Sequence, residues 1–218
     1  MSPDVSVVPR RTTEPADAGR LLVADGAVIV GGGGTDPGVA SATIRAITGE
    51  RLVGLAGPVL ADDDDERSEG LPDVVGLLRR RTTGPGPTLF LVEAGRLVRW
   101  LDAEEPALAR FLYGRSAIVR ITDGGRRCVR TQPGRAAIAP EHLPMLNQWS
   151  AAIATARAGV ERFRLGAGEL LLVDNYRVWA GHDSPARRTA GVWRIDAWTT
   201  DSFGVPDGVE LAGSAAKT

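Results

Sequence analysis

The alternation of apolar and polar positions divides the chain into short segments, most of them typical of β-strands. Residues 20–32 predict an amphipathic turn followed by a β-branched strand that ends in glycines. Asp36 opens a segment with the spacing of a helix. An apolar strand at residues 52–60 leads directly into residues 61–69, which include four consecutive aspartates. Because a buried strand cannot hold that much charge, we expect 61–69 to form a solvated or functional loop.

The middle of the chain continues this pattern. Residues 73–81 and 88–101 are predicted as strands on either side of a glycine- and proline-containing turn, and a helix is expected at 106–114. Segments 116–122 and 126–132 are separated by an Asp-Gly-Gly sequence, which is typical of a β-hairpin.

The last third predicts one long helix and then more strands. A helix is expected over residues 140–159, with one apolar face. That face is formed by Leu146, Trp149, Ile153 and Ala154. Residues 162–181 predict two strands around a tight Gly-Ala-Gly turn, and residues 187–200 predict the last strong strand. The polar residues 1–18 are expected to be a flexible arm, and residues 19–218 a single domain.

Composition narrows the class of protein. The chain has 218 residues, 43% of them hydrophobic, and a formal net charge of -1 without a basic stripe, which gives no indication of nucleic-acid binding. Its single cysteine excludes an intrachain disulfide and a four-cysteine zinc site. We find neither a signal peptide nor a membrane-spanning apolar stretch, and so expect a cytoplasmic protein. Lys217 is the only lysine among many arginines, which suggests a bacterium with GC-rich DNA.

The segment from Gly166 to Ser184 resembles the second metal motif of the clavaminate synthase-like and taurine dioxygenase-like iron(II)/2-oxoglutarate oxygenases. In that motif a glycine-acid turn and an apolar strand precede Asp-Asn-x-Arg-Val, here Asp174 to Val178. The distal iron-binding histidine follows two residues later, at the position of Ala180. The resemblance implies a double-stranded β-helix, a cupin-like jelly-roll that is mainly β with flanking helices.

Two further segments are similar to the same family. Thr88, at the start of its strand, matches the family threonine that contacts 2-oxoglutarate. In the closing strand, Arg194 matches the arginine that often meets the substrate, whereas Ala190 occupies the position of the arginine that binds the 2-oxoglutarate carboxylate. Arg188 could substitute for that arginine if the loop is shifted.

The family's first metal motif, histidine-x-acid, falls on Ala61 to Asp64, where acids are present but no histidine is. An iron(II) site of this kind needs two imidazoles and a carboxylate, and alanine donates nothing. We therefore predict a degenerate member with no metal ligands and no cofactor. His182 lies two residues beyond the position of the expected ligand. Two roles stay open for it, that of a slipped metal ligand and that of a general acid or base. We interpret His142 as structural.

The candidate site combines acid-base groups with an arginine clamp. Asp62 or Asp63 could project into the barrel mouth as the remnant of the metal carboxylate, although a solvated loop or a divalent cation site are the alternatives for this run. The candidate catalytic residues are His182, Asp62, Asp63 and Tyr176. The candidate substrate-binding residues are Arg177, Arg194, Arg188, Thr88, Asn175 and Trp179.

These expectations define a bacterial enzyme of specialised-metabolite biosynthesis, such as antibiotic biosynthesis. It would act on a small carboxylate-bearing substrate by a metal-independent, non-oxidative step of the isomerase, lyase, cyclase or hydrolase type. One alternative is an active hydroxylase that uses Fe(II) and 2-oxoglutarate at a rearranged site. Another is a non-catalytic binding protein. A homodimer is left open.

Overall fold

The computed structural model describes residues 3–60, 70–80, 87–114, 116–133, 139–183 and 191–211. Within these residues the helices are α1 (Pro15–Asp25), α2 (Pro37–Thr48), α3 (Ala94–Glu104), α4 (Pro106–Tyr113) and α5 (Leu143–Gly159). The first six strands are β1 (Arg10–Thr12), β2 (Ala27–Val30), β3 (Leu52–Leu60), β4 (Val74–Arg79), β5 (Thr88–Glu93) and β6 (Val119–Ile121). The remaining strands are β7 (Arg127–Val129), β8 (Arg162–Arg164), β9 (Leu170–Asp174), β10 (Val178–His182), β11 (Val192–Thr199) and β12 (Glu210–Leu211).

Two sheets form the body of the described structure. The larger has the strand order β1-β2-β9-β4-β11-β3-β12, and all of its pairs are antiparallel except β1 with β2. The smaller has the order β10-β5-β8 and is antiparallel throughout. The strands β6 and β7 form a separate hairpin around the predicted Asp-Gly-Gly turn, so that prediction is confirmed.

An apolar layer joins the inner faces of the two sheets. Side chains alternate across a strand, so every second residue of β5 and β9 points toward the other sheet. Leu89 and Leu91 of β5 thereby meet Leu171 and Val173 of β9 in one buried cluster. Ala27 and Ile29 of β2, Leu165, and Val178 of β10 complete this inner layer, together with Val7.

The helices cover the outer faces of both sheets. Leu170 and Leu172 of β9 point away from the inner layer and pack in a cluster with residues of α1 and α2. The carboxylate of Asp36 accepts a hydrogen bond from the Gly38 amide at 2.8 Å and caps α2, as the sequence predicts. On the other side, α3, α4 and α5 pack over Phe90 and Val92 of β5.

Helices and strands are mixed in comparable amounts, so the expectation of a mainly β fold is corrected to a mixed helix and sheet fold. The predicted strand at residues 88–101 is the clearest local difference, because the strand ends at Glu93 and α3 begins at Ala94. In α3, Leu97, Val98 and Leu101 are buried together, and their spacing fits one face of a helix. None of the helices in the described part has the length and apolar character that crossing a membrane requires.

Parts of residues 3–18 are packed where the sequence predicts a flexible arm over residues 1–18. Val5 and Val7 are buried, and Val5 accepts a hydrogen bond from the Glu93 amide at 2.8 Å. Residues 5–7 therefore lie along β5 of the smaller sheet, and β1 then pairs with β2 of the larger one. A segment with few apolar residues can still pack in this way, because each of the two valines fills a site between elements that are distant in the sequence.

Candidate functional site

The inner face of β10 carries two exposed residues at the edge of the smaller sheet. Val178 belongs to the inner apolar layer, whereas Trp179 belongs to the cluster under α3, α4 and α5. A Cβ atom on Gly181 would lie 2.4 Å from the Phe90 ring, so Gly181 shares the outer face with Trp179. By alternation Ala180 and His182 lie on the inner face with Val178, and both are exposed.

The inner face of β11 presents a charged pair. Arg194 pairs with Leu77 of β4, and Leu77 packs against the inner apolar layer. The intervening residue, Ile195, belongs to the cluster on the outer face. Arg194 and Asp196 therefore both face the space between the sheets, with Leu77 as an apolar neighbour.

Arg194 and Asp196 are joined through a single nitrogen of the guanidinium. The Nε atom of Arg194 donates to Oδ1 of Asp196 at 2.8 Å, and the side chain of Asp196 is 9% exposed while that of Arg194 is 30% exposed. No acceptor among the described residues contacts the two terminal nitrogens of Arg194. Among the described residues, the guanidinium is thus held at Nε alone, and its two terminal nitrogens have no protein partner there.

The two histidines lie in different parts of the fold. His182 ends β10 and pairs with Leu89, whereas His142 precedes α5 and its ring lies 5.4 Å from that of Phe111 in the helical layer. Within the described ranges, no three side chains of histidine, cysteine, aspartate or glutamate converge as a metal site would require. The described residues therefore do not offer the two imidazoles and one carboxylate that iron(II) takes in this class of site.

The Asp-Asn-Tyr-Arg-Val segment forms the turn between β9 and β10, and its side chains contact protein groups. The Tyr176 hydroxyl donates to the Leu71 carbonyl at 3.2 Å and accepts from the Phe203 amide at 3.0 Å. Burial raises the pKa of Tyr176 to about 12. Asn175 donates to the Pro72 carbonyl at 2.9 Å. These contacts give Tyr176 and Asn175 a structural function, and their predicted catalytic and binding roles stay predictions.

Three further candidates are also engaged with the protein. Arg177 donates to Glu93 and to the carbonyls of Val23 and Ala24 at the end of α1. Trp179 is buried and donates to the Val129 carbonyl at 2.7 Å. The hydroxyl of Thr88 accepts from Arg164 at 3.4 Å, and alternation with Leu89 places Thr88 on the opposite face from His182. Alternation thus places Arg194 and His182 on the inner faces of different sheets and Thr88 on an outer face.

Asp62, Asp63 and Arg188 lie outside the described residues, and so do Ala61 and Ala190. Their predicted roles stay predictions.

The sequence did not reveal a partly buried ionic cluster at the turn end of the large sheet, in which only Asp73 is fully buried. Arg126 donates to Asp73 at 2.8 Å and to Asp174 at 2.6 Å, and its guanidinium lies over the Tyr176 ring. Burial raises the pKa of Asp174 above its ordinary value, and the neighbouring Arg126 offsets only part of this rise. Acids at the ends of two apolar strands were visible in the sequence, but their shared partner lies 53 and 48 residues away. We interpret this cluster as structural.

The comparisons with known proteins agree with the resemblance seen in the sequence. No protein-family model matches the chain, and no curated protein matches it. Solved structures do match it over most of both chains, with sequence identities that support the fold alone. The two-sheet architecture is that of the taurine dioxygenase-like and clavaminate synthase-like iron(II)/2-oxoglutarate oxygenases.

Three of these structures illustrate the likeness. A taurine dioxygenase from Burkholderia xenovorans is 14% identical with a TM-score of 0.58, covering 97% of this chain and 95% of its own. A putative alpha-ketoglutarate dependent 2,4-D dioxygenase from the same organism is 12% identical with a TM-score of 0.61, covering 88% and 93%. An asparagine oxygenase in complex with Fe(II), 2S,3S-3-hydroxyasparagine and succinate is 16% identical with a TM-score of 0.53, covering 85% and 77%.

Proposed function

We propose that this chain is an enzyme that acts on a small carboxylate-bearing molecule through a metal-independent, non-oxidative step. The two facing sheets would form the halves of a double-stranded β-helix, and the substrate would enter between β10 and β11. The observation that carries the proposal is Ala180, an exposed alanine on the inner face of β10, where the family motif has its distal iron ligand. A methyl group has no lone pair to donate to a metal.

His182 does not simply replace that ligand. It lies on the same inner face as Ala180 but two residues further along the strand. At a rise of about 3.3 Å per residue, this displaces the imidazole by roughly 6.5 Å, compared with a metal-nitrogen bond of about 2 Å. A bulge would be needed to bring it back, and β10 pairs with β5 in regular register from Val178 to His182.

The remaining inner-face groups can support acid-base chemistry. Arg194 has two terminal nitrogens without an acceptor in the described part of the chain, and such a guanidinium edge suits a carboxylate. His182 is exposed on the inner face of β10, and we propose that it reaches the same substrate, because an imidazole can take up and release a proton near neutral pH. Together they would hold a substrate by its carboxylate and move a proton on it, as isomerisation, elimination, cyclisation and hydrolysis all require. Such a step fits the specialised metabolism of a bacterium, including antibiotic biosynthesis in the cytoplasm.

Iron binding provides the first test. The purified protein is analysed for metals and then titrated anaerobically with Fe(II) in the presence of 2-oxoglutarate, while the visible spectrum is recorded. We expect less than stoichiometric iron and no metal-to-ligand charge-transfer band. A band that forms in the native protein and is lost in His182→Ala would instead establish the rearranged iron site and overturn the proposal.

A second test separates an enzyme from a binding protein. The native protein, His182→Ala and Arg194→Gln are incubated with a panel of amino acids and other small carboxylic acids, and consumption is followed by mass spectrometry. We expect turnover by the native protein, with His182→Ala losing turnover but keeping binding, and Arg194→Gln losing both. If an acid binds through Arg194 but is never converted, the chain is a binding protein.

A further inference from the structure

We infer that Asp196 is a positioning residue that fixes Arg194 for an end-on contact with a substrate carboxylate. This inference rests on the proposed function, because it assumes that Arg194 is the group that meets the carboxylate. It adds a residue that the family resemblance does not provide, and it adds the geometry of the contact.

The geometry follows from which nitrogen Asp196 occupies. A guanidinium can meet a carboxylate side-on, through Nε and one terminal nitrogen, or end-on, through both terminal nitrogens. Asp196 already accepts from Nε at 2.8 Å, so the side-on edge of Arg194 is engaged by the protein. The two terminal nitrogens have no acceptor among the described residues. Within the described ranges, the edge of Arg194 that lacks a protein acceptor is therefore the end-on one.

Burial makes Asp196 a firm support for this orientation. Its side chain is 9% exposed, and it lies beside Val75 on the regularly paired side of β11. On the other side, β3 has an irregularity between the partners of Arg194 and Asp196. Gly57 accommodates it, because a Cβ atom there would lie 2.7 Å from the Arg194 carbonyl oxygen. Pairing with β4 on one side and β3 on the other thus holds the part of β11 that carries Arg194 and Asp196.

A purely electrostatic role and a positioning role of Asp196 predict opposite changes in the affinity for an anion when the Asp196 carboxylate is neutralised. The carboxylate of Asp196 offsets the positive charge of Arg194, so a purely electrostatic role predicts that its removal strengthens the binding of an anion. A positioning role predicts the reverse, because a released guanidinium samples many rotamers that must be fixed again when the ligand binds. The direction of the change therefore identifies the role.

The experiment uses succinate as a carboxylate probe with protein labelled with 15N at arginine. The Nε signal of Arg194 is assigned by its absence in Arg194→Lys, and binding is measured from the shifts of the Arg194 signals. We expect Asp196→Ala to weaken succinate binding by about tenfold, the loss of one charge-assisted hydrogen bond. Asp196→Asn keeps an acceptor oxygen of similar shape and should recover part of this loss.

Asp25→Asn is the matched control. Asp25 also accepts from an arginine Nε atom, that of Arg10 at 2.7 Å, at the end of α1. This variant changes the net charge by the same amount as Asp196→Asn and should leave succinate binding unchanged. The urea midpoint of each variant shows whether it is folded. If Asp196→Ala does not fold, the comparison with the native protein is made with Asp196→Asn alone.

Two results would overturn the inference. One is equal or tighter succinate binding by the folded Asp196 variants, which would make Asp196 only a charge beside Arg194. The other is native protein whose Arg194 signals do not respond to succinate. Neither result decides whether iron binds, so failure of this inference is distinguishable from failure of the metal-independent proposal, which the iron titration tests separately.

Discussion

Asp73, directly before β4, is bonded twice to Thr199, the last residue of β11: its carboxylate accepts from the Thr199 amide at 2.9 Å and from the Thr199 hydroxyl at 2.5 Å. The same carboxylate, which is fully buried, also accepts from Arg126. One side chain therefore joins two neighbouring strands to the hairpin of β6 and β7.

We predict that Asp73→Ala lowers the free energy of unfolding by about 3–5 kcal/mol, because it removes a fully buried carboxylate together with its two bonds to Thr199 and its ion pair with Arg126. Thr199→Val removes only the hydroxyl bond and should lower it by about 1 kcal/mol. Urea unfolding measures both values. Equal losses for the two variants would show that the contacts of Asp73 with the Thr199 amide and with Arg126 add nothing beyond the bond to the Thr199 hydroxyl.

The N-terminal segment offers a set of three neighbouring valines for a second prediction. Val5 and Val7 are buried, whereas Val8 is 55% exposed. Val5→Asp and Val7→Asp should each lower the free energy of unfolding by about 3 kcal/mol or more, since an unpaired charge cannot be buried without a partner. Val8→Asp should change it by less than about 0.5 kcal/mol. If all three variants unfold like the native protein, residues 3–9 do not pack on β5 in solution.

Gly181 gives a prediction for the packing behind the candidate site. A Cβ atom at this position would lie 2.4 Å from Cζ and 2.7 Å from Cε2 of the buried Phe90 ring. Gly181→Ala should therefore lower the free energy of unfolding by about 1–3 kcal/mol through overpacking. Gly159→Ala is the control, because no atom lies within 4 Å of its added Cβ and alanine favours a helix. In thermal unfolding, the Tm of Gly181→Ala should fall, whereas that of Gly159→Ala should rise or stay unchanged.

Cys128 allows a prediction about alkaline pH. Burial raises the pKa of its thiol from 9.0 to about 12. In the folded protein the protonated thiol is favoured, so its contribution to stability is complete below pH 9 and is lost as the pH rises toward 12. The urea midpoint should therefore fall between pH 9 and 11, and it should fall less steeply in Cys128→Ala.

The same burial predicts that the thiol of native Cys128 does not react with Ellman's reagent at pH 8, because the thiolate is the reactive form and the side chain is 1% exposed. Reaction should begin only when urea unfolds the chain. Rapid labelling of the folded protein would contradict the buried position of Cys128 in β7.

Local patterns predicted much of the fold because local physics determines those elements. The Asp36 cap, the Asp-Gly-Gly hairpin and the helix ending at Gly159 all depend on residues close together in sequence. The predicted apolar face of that helix was wrong at one position, since Ala154 is exposed and Ala156 is buried instead. The spacing of Trp149 and Ile153 fits either choice, and only the packing of α5 against α4 and β5 decides between them.

The candidate site was predictable in part for the same reason. Arg194 and Asp196 are two residues apart on one strand, so alternation alone could have paired them. The position of Arg126 between Asp73 and Asp174 could not have been found in that way, because it joins three segments that only the folded chain brings together. The packing of Val5 and Val7 was missed because two isolated valines give no periodic signal.

The open position of Ala180 has a consequence for how this fold can change its chemistry. The residues on either side of it, Trp179 and Gly181, face packed side chains, while Ala180 is exposed. Because an exposed side chain can be replaced with little effect on packing, a change between alanine and histidine at this point would alter what the fold can bind without rebuilding the framework that supports it.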